Sequence, residues 1–197
     1  MSTQLSLIEE PAAIRLDLGC GMNKRKDGAW LGVDRIGFEG VDLVHDLTQP
    51  WPWSDNSIEE AHSSHFVEHL FAPQRIHFIN ELYRVLKPGG KATLIAPYYG
   101  SERAYGDLTH QWPPVCGMWF YYMSREWRMG NVEKGIGANA PHDDITHNPQ
   151  GYSCDFSATW GYTMHPSLTA RNVEHQQYAL QWHREAAQDI IATLVKL

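Results

Sequence analysis

The stretch Leu16-Asp17-Leu18-Gly19-Cys20-Gly21 joins a short apolar run to two glycines that are one residue apart. The run predicts a buried strand, and the glycines predict a tight turn at its end. Because glycine has no Cβ, a ligand can approach the backbone at this turn. In open α/β sheets, ligands bind beyond the carboxyl ends of the strands. A Gly-x-Gly turn can also have a purely steric origin, so the rest of the chain must decide between the two readings.

Other short apolar runs recur along the chain. They predict strands near residues 30–34, 41–44, 58–64 and 91–96, and a final strand at 190–195. Residues 154–164 are a further candidate strand.

A helix is predicted between the strands at 58–64 and 91–96. Pro73 suits a first helical turn, and Ile79, Leu82, Tyr83 and Leu86 recur at the spacing of one helix face. The run Lys87-Pro88-Gly89-Gly90 ends it. A second helix is predicted at 172–188. Strands that alternate with helices predict an α/β fold of the Rossmann-like, doubly wound kind. Its sheet is mostly parallel with helices on both faces, and the last strand can be antiparallel.

The length of 197 residues suits one domain. We predict a single domain over residues 1–197 with a cofactor-binding half at about 13–97. An irregular region at about 98–165, rich in aromatic residues, is expected to face the substrate. A helix and a strand at about 170–197 complete the domain.

Composition restricts the classes of function. No apolar run has the length of a membrane span, and the first residues do not read as a secretory signal. Three scattered cysteines favour a reducing compartment, so we predict a cytoplasmic protein. The net charge of −7 does not favour nucleic-acid binding.

Polar residues stand where the predicted strands end. Asp34 ends the second strand, where a carboxylate can accept both hydroxyls of a ribose. Asp46 follows the third strand and can accept an adenine amino group, while Leu47 can pack on the ring. Ser64 and His65 end the fourth strand and are expected to point into the same crevice.

With these residues in place, the chain resembles the class I S-adenosylmethionine (SAM)-dependent methyltransferases, in their small single-domain form. The matching segments lie in family order at residues 16–21, 33–34, 46–47, 64–70 and 81–90. The resemblance implies that SAM is the cofactor and that the protein is a SAM-dependent methyltransferase.

The resemblance also implies a cofactor site. It assigns Asp17, Gly19 and Gly21 to the methionine end of SAM, Asp34 to the ribose, and Asp46 with Leu47 to the adenine. The full set of predicted cofactor-binding residues is Asp17, Gly19, Cys20, Gly21, Asp34, Arg35, Asp46, Leu47, Ser64 and His65.

The sequence departs from the family after Gly21. The family has a full helix there, whereas residues 22–28 are polar, basic and too few for more than two turns. Lys24 or Arg25 is an alternative partner for the SAM carboxylate, although exposed lysines are the more common reading of such a segment.

The acceptor side is expected to come from the loop after the fifth strand. Tyr98, Tyr99, Tyr105 and Trp112 are the predicted substrate-binding residues. The family's short members carry an Asp-x-Thr-His segment here, which Asp107 and His110 match. We predict both as catalytic, with His110 as a general base. The alternative is that Asp107 fixes the loop by hydrogen bonds.

No metal site is predicted. The segment 141–147 contains His and Asp residues, and His65 and His69 are four positions apart, but neither spacing is specific for a metal.

The predicted reaction is methyl transfer from SAM to an oxygen or nitrogen atom, with a small molecule as the acceptor and partner. The alternatives are a methyltransferase acting on a nucleotide, nucleic acid or protein, and a SAM-binding protein that transfers nothing. The sequence Ser63-Ser64-His65 lacks the Asp/Asn-Pro-Pro-Tyr/Phe motif of amino-directed DNA methyltransferases.

Overall fold

The computed structural model describes residues 14–133 and 151–197. Its strands are β1 (Arg15–Leu18), β2 (Leu31–Asp34), β3 (Leu43–Val44), β4 (Ile58–Ser64), β5 (Leu86–Pro97), β6 (Phe156–Met164) and β7 (Ala187–Lys196). Its α-helices are α1 (Ala72–Val85), α2 (Gly117–Tyr121), α3 (Arg125–Glu133) and α4 (Val173–Trp182). Short 3-10 turns lie at Val67–His69, Glu102–Ala104 and Pro166–Leu168.

The strands form one seven-stranded sheet in the order β3-β2-β1-β4-β5-β7-β6. Strands β1 to β5 pair in parallel, whereas β7 is antiparallel to both of its neighbours. The predicted Rossmann-like, mostly parallel α/β fold with an antiparallel last strand is therefore confirmed. The strand order changes direction between β1 and β4, and ligands of open α/β sheets bind at such a point.

Several element boundaries differ from the predictions, and two of them differ by five residues or more. Strand β5 begins at Leu86 instead of residue 91, because Leu86 already pairs with Ile58 before an irregularity at 87–90. Gly89 has a φ of 76° in that irregularity. The predicted helix at 172–188 is α4, which ends at Trp182 because β7 begins five residues later. The side chain of Asn172 caps it by accepting a hydrogen bond from His175 N at 2.9 Å.

Helix α1 supplies much of the core. Phe78, Ile79, Leu82 and Val85 are fully buried against the sheet. Burial of each such side chain is worth about 1.5–3 kcal/mol, so this helix fixes the sheet region from which the site is built.

The connections between the first four strands are short. Within residues 19–57 the structure contains no α-helix, and residues 22–30 form a largely irregular connection between β1 and β2. This confirms the prediction that the family's helix does not fit here. Among the described residues, no helix has the length and apolar character needed to cross a bilayer.

Candidate active site

A cavity of about 560 Å³ lies beyond the carboxyl ends of β1, β2 and β4. Seven of the predicted cofactor-binding residues line it: Gly19, Gly21, Asp34, Arg35, Asp46, Leu47 and His65. The fold thus brings together residues that lie far apart in the sequence.

The turn after β1 has the backbone that its glycines predict. Gly19 and Gly21 have φ values of 69° and 50°, a region that favours glycine. A Cβ on Gly19 would lie 2.3 Å from the ring of Phe66, whereas a Cβ on Gly21 would meet no atom within 4 Å. Gly19 therefore allows close packing below the turn, and Gly21 leaves the backbone open to a ligand.

Asp34 is held at the end of β2 by two backbone donors. Its Oδ2 accepts a hydrogen bond from Gly21 N at 2.9 Å, and its Oδ1 accepts one from Ile36 N at 3.0 Å. The carboxylate is half-buried, and each oxygen keeps a lone pair for a further donor. The arrangement suits a ligand with two neighbouring hydroxyl groups.

Asp46 and Leu47 also line the cavity. Asp46 Oδ1 accepts hydrogen bonds from Thr48 N at 2.9 Å and from Thr48 Oγ1 at 2.8 Å. These bonds hold the pKa of Asp46 below its ordinary value, so the group is anionic at neutral pH. Leu47 is 2% exposed and offers an apolar surface beside it.

Asp17 lies under the turn and does not line the cavity. It is 3% exposed, its Oδ2 accepts a hydrogen bond from Arg25 N at 2.7 Å, and its Oδ1 lies 2.8 Å from His62 Nδ1. Both oxygens are thus engaged in fixing the loop after Gly21 to β4.

Cys20 and Ser64 also lie outside the cavity lining. Cys20 is buried, and burial together with the negative charge of Asp17 raises the pKa of its thiol to about 11. Ser64 is half-buried at the end of β4.

Lys24 and Arg25 are directed elsewhere. Lys24 Nζ forms an ion pair with Asp42 Oδ2 at 2.5 Å, and Arg25 pairs with Asp27. The Arg25 guanidinium also lies 4.6 Å from the centre of the Trp30 ring. Neither residue lines the cavity.

His65 joins the cavity to a buried acid. It has a φ of 54°, an uncommon conformation for a residue other than glycine. Its Nδ1 lies 3.3 Å from Glu68 Oε1, and its Nε2 lies 3.7 Å from Asp189 Oδ1. Contact with Glu68 raises the pKa of His65, against the opposing effect of burial.

The tyrosines of the loop after β5 separate into two groups. Tyr98 is 2% exposed and donates a hydrogen bond to Leu180 O at 2.8 Å, so it packs the loop onto α4. Tyr99, Tyr105 and Trp112 are exposed and line a second cavity of about 580 Å³. Three of the four predicted substrate-binding residues therefore share one cavity.

Asp107 has a clear structural contact. Its Oδ1 accepts hydrogen bonds from Thr109 N at 2.8 Å and from Thr109 Oγ1 at 2.7 Å. These are the loop-fixing bonds that the sequence offered as the alternative to catalysis.

His110 lies close to a second histidine. Its Nδ1 lies 3.3 Å from Ala104 O, and its Nε2 lies 3.9 Å from Asp107 Oδ2. The rings of His69 and His110 meet edge to face with 4.7 Å between their centres. His69, Thr109 and Gln111 line the first cavity, whereas His110 is not part of its lining.

The site also contains four residues that were not among the predicted ones, namely His69, Thr109, Gln111 and Arg75. His69, Thr109 and Gln111 line the cavity, and Arg75 supports it from α1. Only the His-x-x-Glu-His spacing at residues 65–69 signals any of them in the sequence, because the other contacts depend on how the loop after β5 folds back.

A family model described as a methyltransferase domain matches residues 23–94. The match begins just after the Gly-x-Gly turn and extends into β5, so it includes the ends of β2 and β4 at the first cavity but not the end of β1. This match supports the resemblance to the class I SAM-dependent methyltransferases.

Solved structures of methyltransferases share the fold of this chain. A SAM-dependent methyltransferase from Archaeoglobus fulgidus is 18% identical with a TM-score of 0.62, and the alignment covers 94% of this chain and 87% of that chain. The methyltransferase domain of a bacterial CtHen1-CN protein is 14% identical with a TM-score of 0.50, covering 93% and 90%. A search of curated protein sequences finds no match to the chain.

The first cavity has groups that fit SAM, the cofactor that the resemblance implies. A nucleoside needs acceptors for two hydroxyls and one amino group, which are the groups that Asp34 and Asp46 present. The open backbone at Gly21 leaves room beside them.

Proposed function

We propose that the protein transfers the methyl group of SAM to an oxygen or nitrogen atom of a small molecule. The observation that carries the proposal is the cavity at the ends of β1, β2 and β4, whose lining combines Gly21, Asp34, Asp46 and Leu47. SAM supplies an electrophilic methyl group on a sulfonium ion, and the protein supplies binding, orientation and exclusion of water.

The proposed binding mode uses the two acids as anchors. Asp34 would accept the ribose hydroxyls, because its oxygens are held in place by Gly21 N and Ile36 N. Asp46 would accept the adenine amino group while Leu47 packs on the ring. Gly19 and Gly21 would lie at the methionine end, and Asp17 would act through the loop that it holds.

The loop after β5 forms the proposed acceptor side. Tyr99, Tyr105 and Trp112 give the second cavity an aromatic wall, and Arg184 and Glu185 add charged groups to it. A cavity that mixes aromatic surface with a few polar groups is typical of small-molecule sites. The net charge of −7 disfavours a polyanionic acceptor.

His110 remains the proposed catalytic residue of this loop. The carbonyl of Ala104 can only accept a hydrogen bond, so Nδ1 of His110 must carry the proton of that contact. In the neutral ring, Nε2 is then the nitrogen with a free lone pair. This nitrogen can accept a proton from the methyl acceptor, or it can bind a different electron-pair acceptor such as a metal ion.

The experiment is methyl labelling of fractionated cell extract. The protein is incubated with methyl-labelled SAM and, separately, with the small-molecule, nucleic-acid and protein fractions. We expect label in the small-molecule fraction, with S-adenosylhomocysteine (SAH) formed in equal amount. Label only in nucleic acid or protein would replace the proposed acceptor class, and SAM binding without any SAH would identify a non-catalytic binder.

A further inference from the structure

Glu68, His69 and His110 place one potential metal-ligating atom each within 4.8 Å of one another. We propose that these three residues bind a divalent first-row transition metal ion at the rim of the SAM cavity. The spacing of the sequence predicted no metal, because residues about forty positions apart form the cluster. The fold joins them by placing the turn after β4 against the loop after β5.

The imidazole of His69 is oriented as a metal ligand would be. Its Nδ1 lies 2.9 Å from Thr109 Oγ1, and that hydroxyl donates its only hydrogen to Asp107 Oδ1. Thr109 can therefore only accept from His69, so Nδ1 carries a proton, and in the neutral ring Nε2 keeps its lone pair. Histidines that bind metals commonly donate their second nitrogen to such a partner.

The imidazole of His110 has the same protonation pattern. Its Nδ1 donates to the carbonyl of Ala104 at 3.3 Å, which leaves Nε2 free. In their neutral form, two neighbouring histidines with this tautomer present two lone pairs and no charge. That state attracts a cation, whereas two protonated rings 4.7 Å apart would repel each other.

Glu68 is the independent observation that points to a cation. Its side chain is 5% exposed, and neither carboxylate oxygen accepts a hydrogen bond from the described residues. His65 Nδ1 lies 3.3 Å from Glu68 Oε1, at ion-pair distance, and the carboxylate has no hydrogen-bond donor among the described residues. A buried carboxylate without such partners is costly, and a bound metal ion would satisfy it.

The cluster is built on a rigid support. Arg75 Nη2 donates to Glu68 O at 3.3 Å and to Gln111 O at 3.0 Å, and Gln111 N donates to Glu68 O at 2.8 Å. The segments that carry Glu68 and His110 are thus tied together next to the ligands. Metal bonds of about 2.0–2.2 Å at tetrahedral angles need donor atoms roughly 3.3 Å apart. Side-chain movements of about 1.5 Å or less would achieve this.

The donor set determines the class of metal. Two imidazole nitrogens and one carboxylate suit zinc, iron, cobalt, nickel and manganese better than calcium or magnesium, which prefer oxygen ligands. Three protein ligands also leave coordination positions open. If the proposed function is correct, these positions face the acceptor, and an oxygen atom of the acceptor is the group that such an ion would bind.

The test is metal binding by the metal-free full chain, measured by titration calorimetry with Zn²⁺ and by the visible absorption of Co²⁺. We expect one ion per chain. We expect Glu68→Gln, His69→Gln and His110→Gln each to weaken binding by about 100-fold or more, since the outer partners of metal ligands alone contribute about 10–100-fold. His175→Gln, at an exposed position of α4, is the matched control and should bind as the unmodified protein does.

A variant at a residue that only positions a ligand separates loss of metal binding from loss of folding. Thr109 is exposed, so Thr109→Val should fold normally and still weaken metal binding by about 10–100-fold, because His69 loses its partner. Unchanged metal affinity in Thr109→Val and the three ligand variants would overturn the proposal. Loss of binding in a His142→Gln/His147→Gln variant alone, at histidines outside the described residues, would also overturn it.

SAH binding and methyl labelling on the same samples separate this proposal from the proposed function. A variant that loses the metal but keeps SAH affinity supports a metal site next to an intact cofactor site. Stoichiometric metal binding without any methyl transfer would retain the metal site and remove the proposed function. Methyl transfer by a chain that binds no metal would retain the proposed function and remove the metal site.

Discussion

Asp34 connects the turn after β1 with the proposed nucleoside site. Its carboxylate accepts a hydrogen bond from Gly21 N and also lines the cavity. Charge-assisted hydrogen bonds contribute about 1.5–3 kcal/mol each. We therefore expect Asp34→Ala to weaken SAH binding by about tenfold or more, measured by titration calorimetry. Asp55→Ala is the control, since Asp55 is exposed and pairs with Arg84 away from the cavity. Unchanged SAH affinity in folded Asp34→Ala would show that the ribose contact is wrongly assigned.

The cysteines should differ in reactivity. Burial raises the pKa of Cys20 to about 11 and that of Cys154 to about 12, so both are thiols at neutral pH. Only the thiolate is strongly nucleophilic. At pH 8 we expect iodoacetamide to modify half-buried Cys116 first in the native protein.

Mass spectrometry of tryptic peptides measures the order of modification. In denaturant the three cysteines should react at similar rates. Fast native labelling of Cys20 would mean that the turn after β1 opens readily.

At the scale of elements, the loop that replaces the family's first helix is held by acids. Asp42 Oδ2 accepts from Gly32 N at 2.7 Å and pairs with Lys24, which together lower the pKa of Asp42. We expect Asp42→Asn to reduce the free energy of unfolding by about 1 kcal/mol at pH 7, because the group is largely exposed.

This difference should depend on pH with a defined sign. A carboxyl with a lowered folded pKa stabilises the protein fully above its unfolded value, 3.8, and loses that effect as pH falls through the folded pKa. Chemical denaturation should therefore show that the difference in the free energy of unfolding between Asp42→Asn and the unmodified protein is constant from pH 7 to about pH 5. The difference should become smaller only at more acidic pH. A difference in the free energy of unfolding that disappears near neutral pH would contradict this assignment.

Arg75 connects α1 to both sides of the site. Its guanidinium donates to five carbonyl oxygens, those of Val67, Glu68, Leu70, Gln111 and Pro113. We expect Arg75→Met to lower the free energy of unfolding by roughly 3 kcal/mol, since several buried carbonyls lose their donor. Exposed Arg171→Met is the control and should change stability by less than about 0.5 kcal/mol. Equal stability of the two variants would refute the supporting role of Arg75.

For the whole molecule, cofactor binding should appear as thermal stabilisation. A ligand at 100 times its Kd stabilises the folded state by about 2.7 kcal/mol. For a chain of this length, 1 kcal/mol corresponds to about 2–4 °C, so SAH should raise Tm by about 5–10 °C. Differential scanning fluorimetry measures this, with adenine as a control ligand that lacks the ribose and amino-acid parts. No rise at saturating SAH would contradict SAH binding to the native state.

The parts of the molecule that could be predicted from sequence are those set by local patterns. The apolar run before Gly19, the helix face of Ile79 and Leu82, and the acid Asp34 at a strand end depend on neighbours in the chain, and all lie where predicted. The short segment after Gly21 likewise excluded a helix by its length.

What the sequence did not reveal depends on long-range packing. Asp17 satisfies its charge with Arg25 N and His62, and only the pairing of β1 with β4 brings His62 there. The meeting of His69 with His110 requires the loop after β5 to return over the turn after β4, which no local pattern encodes.

The five hydrogen bonds of Arg75 have a consequence for redesign of acceptor preference. Because one side chain touches carbonyls from both segments, a backbone shift at Gln111 or Pro113 must be accommodated at Glu68 as well. Substitutions at 111–113 should therefore alter the backbone around Glu68 as well as the loop that they are made in. Tyr99 and Tyr105 lie apart from these bonds and line the second cavity, so they are the positions where new specificities can be selected one at a time.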